Sequence, residues 1–271
     1  MDEAVQTLAA QPAQILSGGT DFFPALGDRP APASIIDISA LSELKGIHTE
    51  RDCIRIGGLT TWSELLCTPL PRSFNGLKAA AREIGGIQIQ NRGTVAGNLC
   101  NASPAADSVP PFLTLDAEVQ LVSTAGVRRM PTANFITGNR KTLRRPDEIL
   151  SQIIVPRTVD DAASVFLKLG ARKYLVISIA MVAVLIKVDS ARRVSVARVA
   201  LGSCSVAAKR LSDLERDLVG KQINSSLADL VSENHLRPLS PITDVRATAE
   251  YRHDAALTLV RRAIQECAET C

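Results

Sequence analysis

QNRGTVAGNLCNASPAADS, residues 90–108, is the stretch on which the reading of this chain turns. It carries almost no long apolar side chain, although 46% of the sequence is hydrophobic. Such a run fits neither a regular helix nor a strand pattern, and its place in the middle of a globular chain calls for an explanation.

A second stretch of the same texture, Ser17-Gly18-Gly19-Thr20-Asp21, follows the short apolar pair Ile15-Leu16. Glycine lets the main chain approach a ligand closely and turn its N–H groups outward, making a concavity for an anion. Thr20, Thr94 and Asn98 add neutral donors, a combination suited to a diphosphate that is held rather than hydrolysed. Neither stretch fits G-x-G-x-x-G or G-x-x-x-x-G-K-[ST], so the common dinucleotide and triphosphate loops are excluded. Taken singly, a G-G or G-N turn is usually just a structural turn.

The bulk numbers narrow the class further. The chain of 271 residues has room for one or two domains with a proper core. Its 31 basic and 28 acidic residues leave a net charge of +3, and aromatics make up 3%. Neither a basic track nor a base-stacking platform is present, which argues against nucleic acid. Cys53, Cys67, Cys100, Cys204, Cys267 and Cys271 are scattered without a C-x-x-C pair, so neither a zinc nor an iron–sulfur site is expected. They read as reduced thiols of a cytoplasmic protein. His48, His235 and His253 are isolated, which argues against a metal site or a triad. The first residues lack the pattern of a secretory signal, and the most apolar run, 174–187, is too short to span a bilayer.

Periodicity predicts a helix over 2–10, short strands at 15–16, 34–38 and 53–56, and a helix from the N-cap Thr61 with Glu64 completing a capping box. A helix over 76–84, a hairpin around Ala125-Gly126 and a strand at 149–155 follow. Beyond Thr158 three strands (163–169, 177–188, 194–201) read as an antiparallel meander, followed by helices near 212–220, 227–233 and 248–268. The polar stretch PRTVDD predicts a boundary between domains over 1–158 and 162–271.

Several ordered motifs carry a resemblance: SGGTD at 17–21, LTTWSEL at 59–65, NRGTVAGN at 91–98, NASPAADS at 101–108, DEIL at 147–150, FLKLGARK at 166–173 and DVRATAEYR at 244–252. Over nearly its whole length the chain resembles the FAD-binding (medium) subunit of the molybdenum hydroxylases, the family of xanthine dehydrogenase, carbon monoxide dehydrogenase and the N-heterocycle dehydrogenases. The resemblance implies an α+β protein. It would have a two-lobed FAD-binding domain of the vanillyl-alcohol-oxidase (PCMH) type, then a smaller α+β domain with a three-stranded antiparallel sheet and helices. It also implies a further strand ahead of Asp2, so the sequence is expected to begin inside the first lobe.

By the same resemblance FAD would lie extended between the lobes. Ile15, Leu16, Ser17, Gly18, Gly19, Thr20 and Asp21 would wrap its diphosphate and ribitol, and Thr94, Gly97 and Asn98 would hold the diphosphate from the other side. Asn101 and Ser103 would lie on the same loop. Asp107 would accept from the adenosine hydroxyls, Leu150 would pack near the adenine or ribose, and Lys168 would stand beside the isoalloxazine. Read from the residues alone, Asp107 is equally a helix cap, Leu150 core and Lys168 a solvated strand residue. The implied role is electron transfer in a heterotrimer. A molybdopterin large subunit oxidises the substrate, an iron–sulfur small subunit with two-iron two-sulfur clusters relays electrons to this FAD, and NAD or another acceptor receives them. Two alternatives stand beside it: a stand-alone flavin-dependent oxidoreductase of the same fold, and a non-catalytic assembly protein.

Overall fold

A computed structural model describes residues 1–271. The chain opens with α1 (Asp2–Ala10), β1 (Gln14–Leu16), α2 (Phe22–Leu26) and β2 (Ile35–Asp37). β1 and β2 pair in parallel, and α1 turns Ala4, Val5 and Leu8 onto Ile38, Leu44, Leu59 and Ile149. This is the first lobe. It is small because three-residue strands bury little; most of its side chains stay half-exposed.

The second lobe is built on β3 (Ile47–Thr49), β4 (Cys53–Gly57), α3 (Trp62–Cys67), α4 (Asn75–Glu83), α5 (Ile87–Gln90), α6 (Val95–Asn101) and α7 (Val109–Thr114). It continues through the hairpin β5 (Glu118–Ser123) and β6 (Gly126–Pro131), α8 (Thr132–Phe135), β7 (Ile136–Gly138), β8 (Lys141–Thr142) and β9 (Ile149–Pro156). Five strands form one antiparallel sheet in the order β3-β4-β9-β5-β6. The long β9 sits at its centre because it alone is apolar on both faces, with Ile149, Leu150, Ile153, Ile154 and Val155 all buried. Helices cover one face, and Trp62, Phe74, Phe112 and Phe135 fill the space between. The capping box expected at Thr61 and Glu64 is present.

The remaining strands, β10 (Ala163–Leu169), β11 (Ala180–Val188), β12 (Val194–Gly202) and β13 (Lys209–Arg210), make a second antiparallel sheet in sequence order. It has four strands, not the three expected: β13 spans two polar residues, too few for alternation to reveal. α9 (Ser212–Leu218) follows. The helix expected over 227–233 resolves into two 3-10 turns, Leu227–Leu230 and Glu233–Leu236. The chain closes with α10 (Ala249–Glu269). Val182, Val184 and Ile186 point to α10, whereas Met181, Ala183 and Leu185 point to the N-terminal part. Burial on both faces is why β11 reads as a continuous apolar run rather than an alternating one. The same geometry fixes the second sheet firmly on α4 and α7. Polar ties reinforce the contact: the Gly76 N–H donates to Ser164 Oγ over 2.8 Å, and Arg198 and Arg210 reach Asp116 at 2.5 and 2.8 Å.

Candidate functional site

The two glycine turns meet. β1 ends at Leu16 and delivers Ser17–Asp21 into a cleft of about 380 Å³ between the lobes, and the 92–98 loop forms the facing wall. The volume lies in the range of small-molecule sites. Gly18 abuts the opposite loop so closely that a Cβ there would stand 2.0 Å from the Arg92 carbonyl oxygen. Gly19 has φ +75, a conformation that favours glycine. Across the gap, Ser17 Oγ and Thr94 Oγ1 share a hydrogen bond of 3.2 Å. Thr94 Oγ1 also accepts from the Gly97 N–H at 3.1 Å, capping α6; a Cβ on Gly97 would lie 2.7 Å from that oxygen.

The donors of this clamp are uncommitted. None of the main-chain N–H groups of Ser17 to Asp21 donates within the chain, and neither do those of Thr94 and Ala96. Main-chain N–H groups without partners are uncommon away from bulk solvent, and several on residues lining one cleft suit an anion. Two cations stand at the cleft as well. Arg140, on the turn between β7 and β8 with φ +52, donates to Asn101 Oδ1, and Arg144 donates to the Glu148 carbonyl at 2.8 Å. Neither belongs to a glycine-centred motif; their signal in the sequence is the density of cations in NRKTLRR, residues 139–145.

Of the expected site residues, Ile15, Ser17, Gly18, Gly19, Thr20, Asp21, Thr94, Gly97, Asn98, Asn101 and Leu150 line the cleft together. Leu16 lies just behind it, its carbonyl accepting from Ile38 in the first lobe. Ser103 is turned into its own loop, accepting from the Ala105 N–H at 3.2 Å. Trp62 joins the lining from the core beneath.

Asp107 and Lys168 stand together outside the cleft lining: Lys168 Nζ lies 2.6 Å from Asp107 Oδ2. Both are 7% exposed, and Ser178 donates to Asp107 Oδ1 over 2.5 Å. Burial pushes the Asp107 carboxyl up, while Lys168 and Ser178 pull it back down. The physical reason is economy of charge: a carboxylate and an ammonium this deep must neutralise one another. Ser108, the next residue after Asp107, donates to Asn98 Oδ1 at 2.6 Å, and Asn98 lines the cleft.

No group of three or more His, Cys, Asp or Glu side chains converges anywhere, and no helix is long and apolar enough to cross a membrane. Ser232, His235 and Asp217 touch in sequence-distant fashion, but His235 Nδ1 already accepts the Ser232 N–H at 3.0 Å. That ring is a helix-start pin, not the base of a triad.

Comparisons with known proteins agree with this geometry. Residues 1–158 match the FAD-binding domain of molybdopterin dehydrogenases, and residues 165–267 match the carbon monoxide dehydrogenase flavoprotein C-terminal domain. The nicotinate dehydrogenase FAD subunit of Eubacterium barkeri is 40% identical over 185 residues, 66% of this chain and 62% of that protein. The match to that relative thus spans less than two-thirds of its length. The xanthine dehydrogenase FAD-binding subunit of Escherichia coli O157:H7 is 33% identical across 97% of this chain and 92% of that protein. Carbon monoxide dehydrogenase from Hydrogenophaga pseudoflava, a solved structure, superposes with a TM-score of 0.90 at 28% identity, covering 100% of this chain and 95% of its counterpart. The donor set of the cleft fits FAD: neutral hydroxyls, free N–H groups and two arginines for a diphosphate, with apolar walls beside them. The chain therefore belongs to the family of FAD-binding subunits of molybdenum-dependent dehydrogenases, an oxidoreductase flavoprotein with an FAD-binding domain followed by a carbon monoxide dehydrogenase-type C-terminal domain.

Proposed function

We propose that this chain carries FAD in the cleft between its lobes and acts as the electron-transfer subunit of a heterotrimeric molybdenum hydroxylase. In this reading a two-iron two-sulfur partner delivers electrons that originate at a molybdopterin-containing partner, and NAD or another acceptor removes them. The flavin, when bound, supplies the step from one-electron to two-electron chemistry. The observation that carries the reading is the clamp itself: two turns, 77 residues apart in sequence, tied by the Ser17–Thr94 hydrogen bond, with the N–H groups of Ser17 to Asp21, Thr94 and Ala96 without partners in the chain.

Each part of the chain has a task in this reading. The N–H groups of Ser17 to Asp21 and the Thr20 hydroxyl bind diphosphate oxygens from one wall; Thr94, Gly97 and Asn98 bind them from the other. Arg140 and Arg144 add charge that neutral donors lack, and Asn101, held by Arg140, orients the loop. Ile15, Leu16 and Leu150 exclude water from the apolar parts of the cofactor. Ser103 keeps the 101–105 turn closed. Asp107 and Lys168 act as one unit at the junction, holding the wall that bears Asn98. We further propose that residues 1–158 and 162–271 are the two domains, and that the protein works in the cytoplasm, in keeping with six unpaired cysteines.

Purification of the native complex, with mass spectrometry and metal analysis, tests this reading. Molybdenum and iron in fixed proportion to FAD, on separate chains, are expected. Turnover of an organic substrate by this chain alone would instead make it a free-standing flavin enzyme.

A further inference from the structure

Beside the cleft, three segments present apolar side chains to solvent. α2 reads FFPAL, and none of its residues is buried; Phe22 and Phe23 meet edge to face with ring centroids 5.2 Å apart. α5 contributes Ile87 and Ile89, and the connection between β10 and β11 contributes Tyr174, Leu175 and Ile177. Phe23, Ile87, Tyr174, Leu175 and Ile177 are each more than half exposed. The segments are contiguous. The Phe23 ring lies over Gly19, where a Cβ would stand 2.8 Å from it, and a Cβ on Gly93 would meet both the Ile89 carbonyl and the Thr20 hydroxyl. Leu175 in turn reaches Gly86, 3.6 Å from where a Cβ would stand. Phe22, Ile84 and Ile89 also line the cleft, so the patch is the cleft's own rim. Isolated exposed apolar residues are ordinary, but a contiguous group of them marks a surface that binds something.

The β10–β11 connection is built, not slack. Asp107 grips both its ends, through Lys168 and Ser178. Arg172 donates to the Tyr174 carbonyl at 3.0 Å and to the Leu175 carbonyl at 2.5 Å, and Leu175 is held at φ +50, a conformation costly for a leucine. Tyr174 and Leu175 are thereby fixed toward solvent. Charge gives the rim a sign. Over residues 21–26, 82–92 and 170–179 the charged side chains are Arg82, Arg92, Arg172 and Lys173 against Asp21 and Glu83. The four cations are exposed, and none holds an ion pair within the chain. Aromatic and aliphatic residues with arginine and few carboxylates have the composition of a protein–protein contact. A free nucleotide would need polar donors of its own, whereas this rim offers apolar side chains and an Arg172 already committed to carbonyls.

We propose that this rim is the docking surface of the electron acceptor, and that the acceptor is a small one-electron carrier protein with an acidic face. The inference rests on the reading of the cleft as the FAD site and names the acceptor class which that reading leaves open. The electrons balance: FADH2 returns to FAD, its two electrons pass one each to two carrier molecules, and its two protons go to solvent. Arg82, Arg92, Arg172 and Lys173 steer the acidic carrier to the mouth of the cleft, and the apolar residues between them exclude water from the contact. The encounter is small and transient, as electron-transfer pairs are.

Two carriers serve as probes on the full chain: plastocyanin, an acidic blue-copper protein, and mitochondrial cytochrome c, a basic haem protein. A water-soluble carbodiimide joins carboxylates to amines in contact, so plastocyanin is expected to cross-link to Lys173, read by mass spectrometry of tryptic peptides. The yield should fall about tenfold between about 0.01 M and about 1 M salt, as the screening length drops from about 30 Å to about 3 Å. The double variant Ile87→Asp with Leu175→Asp should lose the cross-link, and Arg82→Glu with Arg92→Glu should shift the preference toward cytochrome c. With FAD bound and reduced anaerobically, plastocyanin should reoxidise it at least about tenfold faster than cytochrome c or NAD at low salt. The Asp variant should lose that advantage while menadione, a small neutral oxidant, acts as before. Cross-links at other lysines with Lys173 untouched, an unchanged yield in the Asp variant, or fastest reoxidation by NAD would overturn the proposal. So would sedimentation of the chain with phosphatidylglycerol vesicles that the Asp variant abolishes, which would assign the rim to a membrane surface. The cross-link needs no FAD, so failure of the docking surface and failure of the cleft reading are told apart.

Discussion

At the scale of single residues, Thr94 joins the two functions of the clamp, because its hydroxyl both caps α6 and holds Ser17. Thr94→Ala is expected to cost about 1 kcal/mol of stability through the lost cap. It should also weaken FAD binding about tenfold, equivalent to about 1.4 kcal/mol, in a fluorescence titration. Lys168→Met is expected to be more damaging to the fold, since it strands the buried Asp107 carboxylate. Urea unfolding should register a loss of about 3 kcal/mol, with much of it restored when Asp107→Leu is added. An unchanged midpoint in Lys168→Met would refute the buried pairing. These two residues also mark how far sequence reading reaches. The glycines and threonines of the cleft were legible because their chemistry is local: small size, hydroxyls, freedom at positive φ. The Asp107–Lys168–Ser178 cluster was not, because it exists only once β10 and the connection before β11, 61 and 71 residues away, fold back onto Asp107.

At the scale of elements, the motif DVRATAEYR resolves into a start signal for α10 and an anchor for its neighbours. Asp244 accepts from the Arg246 N–H and from Arg252, and Arg252, 4% exposed, also donates to the Ile179 and Ser203 carbonyls. These bonds, the Arg246 N–H first, hold the Asp244 carboxyl far below the ordinary carboxylate range. A carboxyl depressed in the folded state contributes stability that is present above its unfolded value of about 3.9 and is lost as pH falls below it. Asp244→Asn is therefore expected to destabilise the chain by about 2–3 kcal/mol at neutral pH. The variant's stability should also fall less than that of the wild type between pH about 5 and 2. Parallel acid limbs for the two proteins, in chemical denaturation at several pH values, would contradict this. Most elements were readable from period and caps: α3 from its capping box, the β5–β6 hairpin from its turn, β11 from its apolar run. β13 was not, being two residues defined wholly by its pairing with β12, and neither was the break of 227–236 into two 3-10 turns.

At the scale of the whole molecule, the first lobe is the lightest-built part. Its only sheet is the three-residue pair β1–β2, and it presents SGGTD to the heavier second lobe. A ligand bound across that gap ties a weak lobe to a strong one, so FAD is expected to raise the melting temperature, following the linkage of binding to folding. At FAD a hundredfold above Kd the gain should approach 2.7 kcal/mol. The lining of the cleft was legible residue by residue, but its arginines and its closure by Ser17 and Thr94 belong to the folded molecule. The most direct test of the central claim is the FAD content of Gly18→Ala beside the wild-type chain. The added methyl would stand 2.0 Å from the Arg92 carbonyl and disrupt the clamp while leaving both sheets intact. One FAD per wild-type chain and less than about a tenth of that in a variant with unchanged far-ultraviolet circular dichroism is the result predicted, a loss of at least about 1.4 kcal/mol in binding. Stoichiometric FAD in a folded Gly18→Ala chain would contradict it.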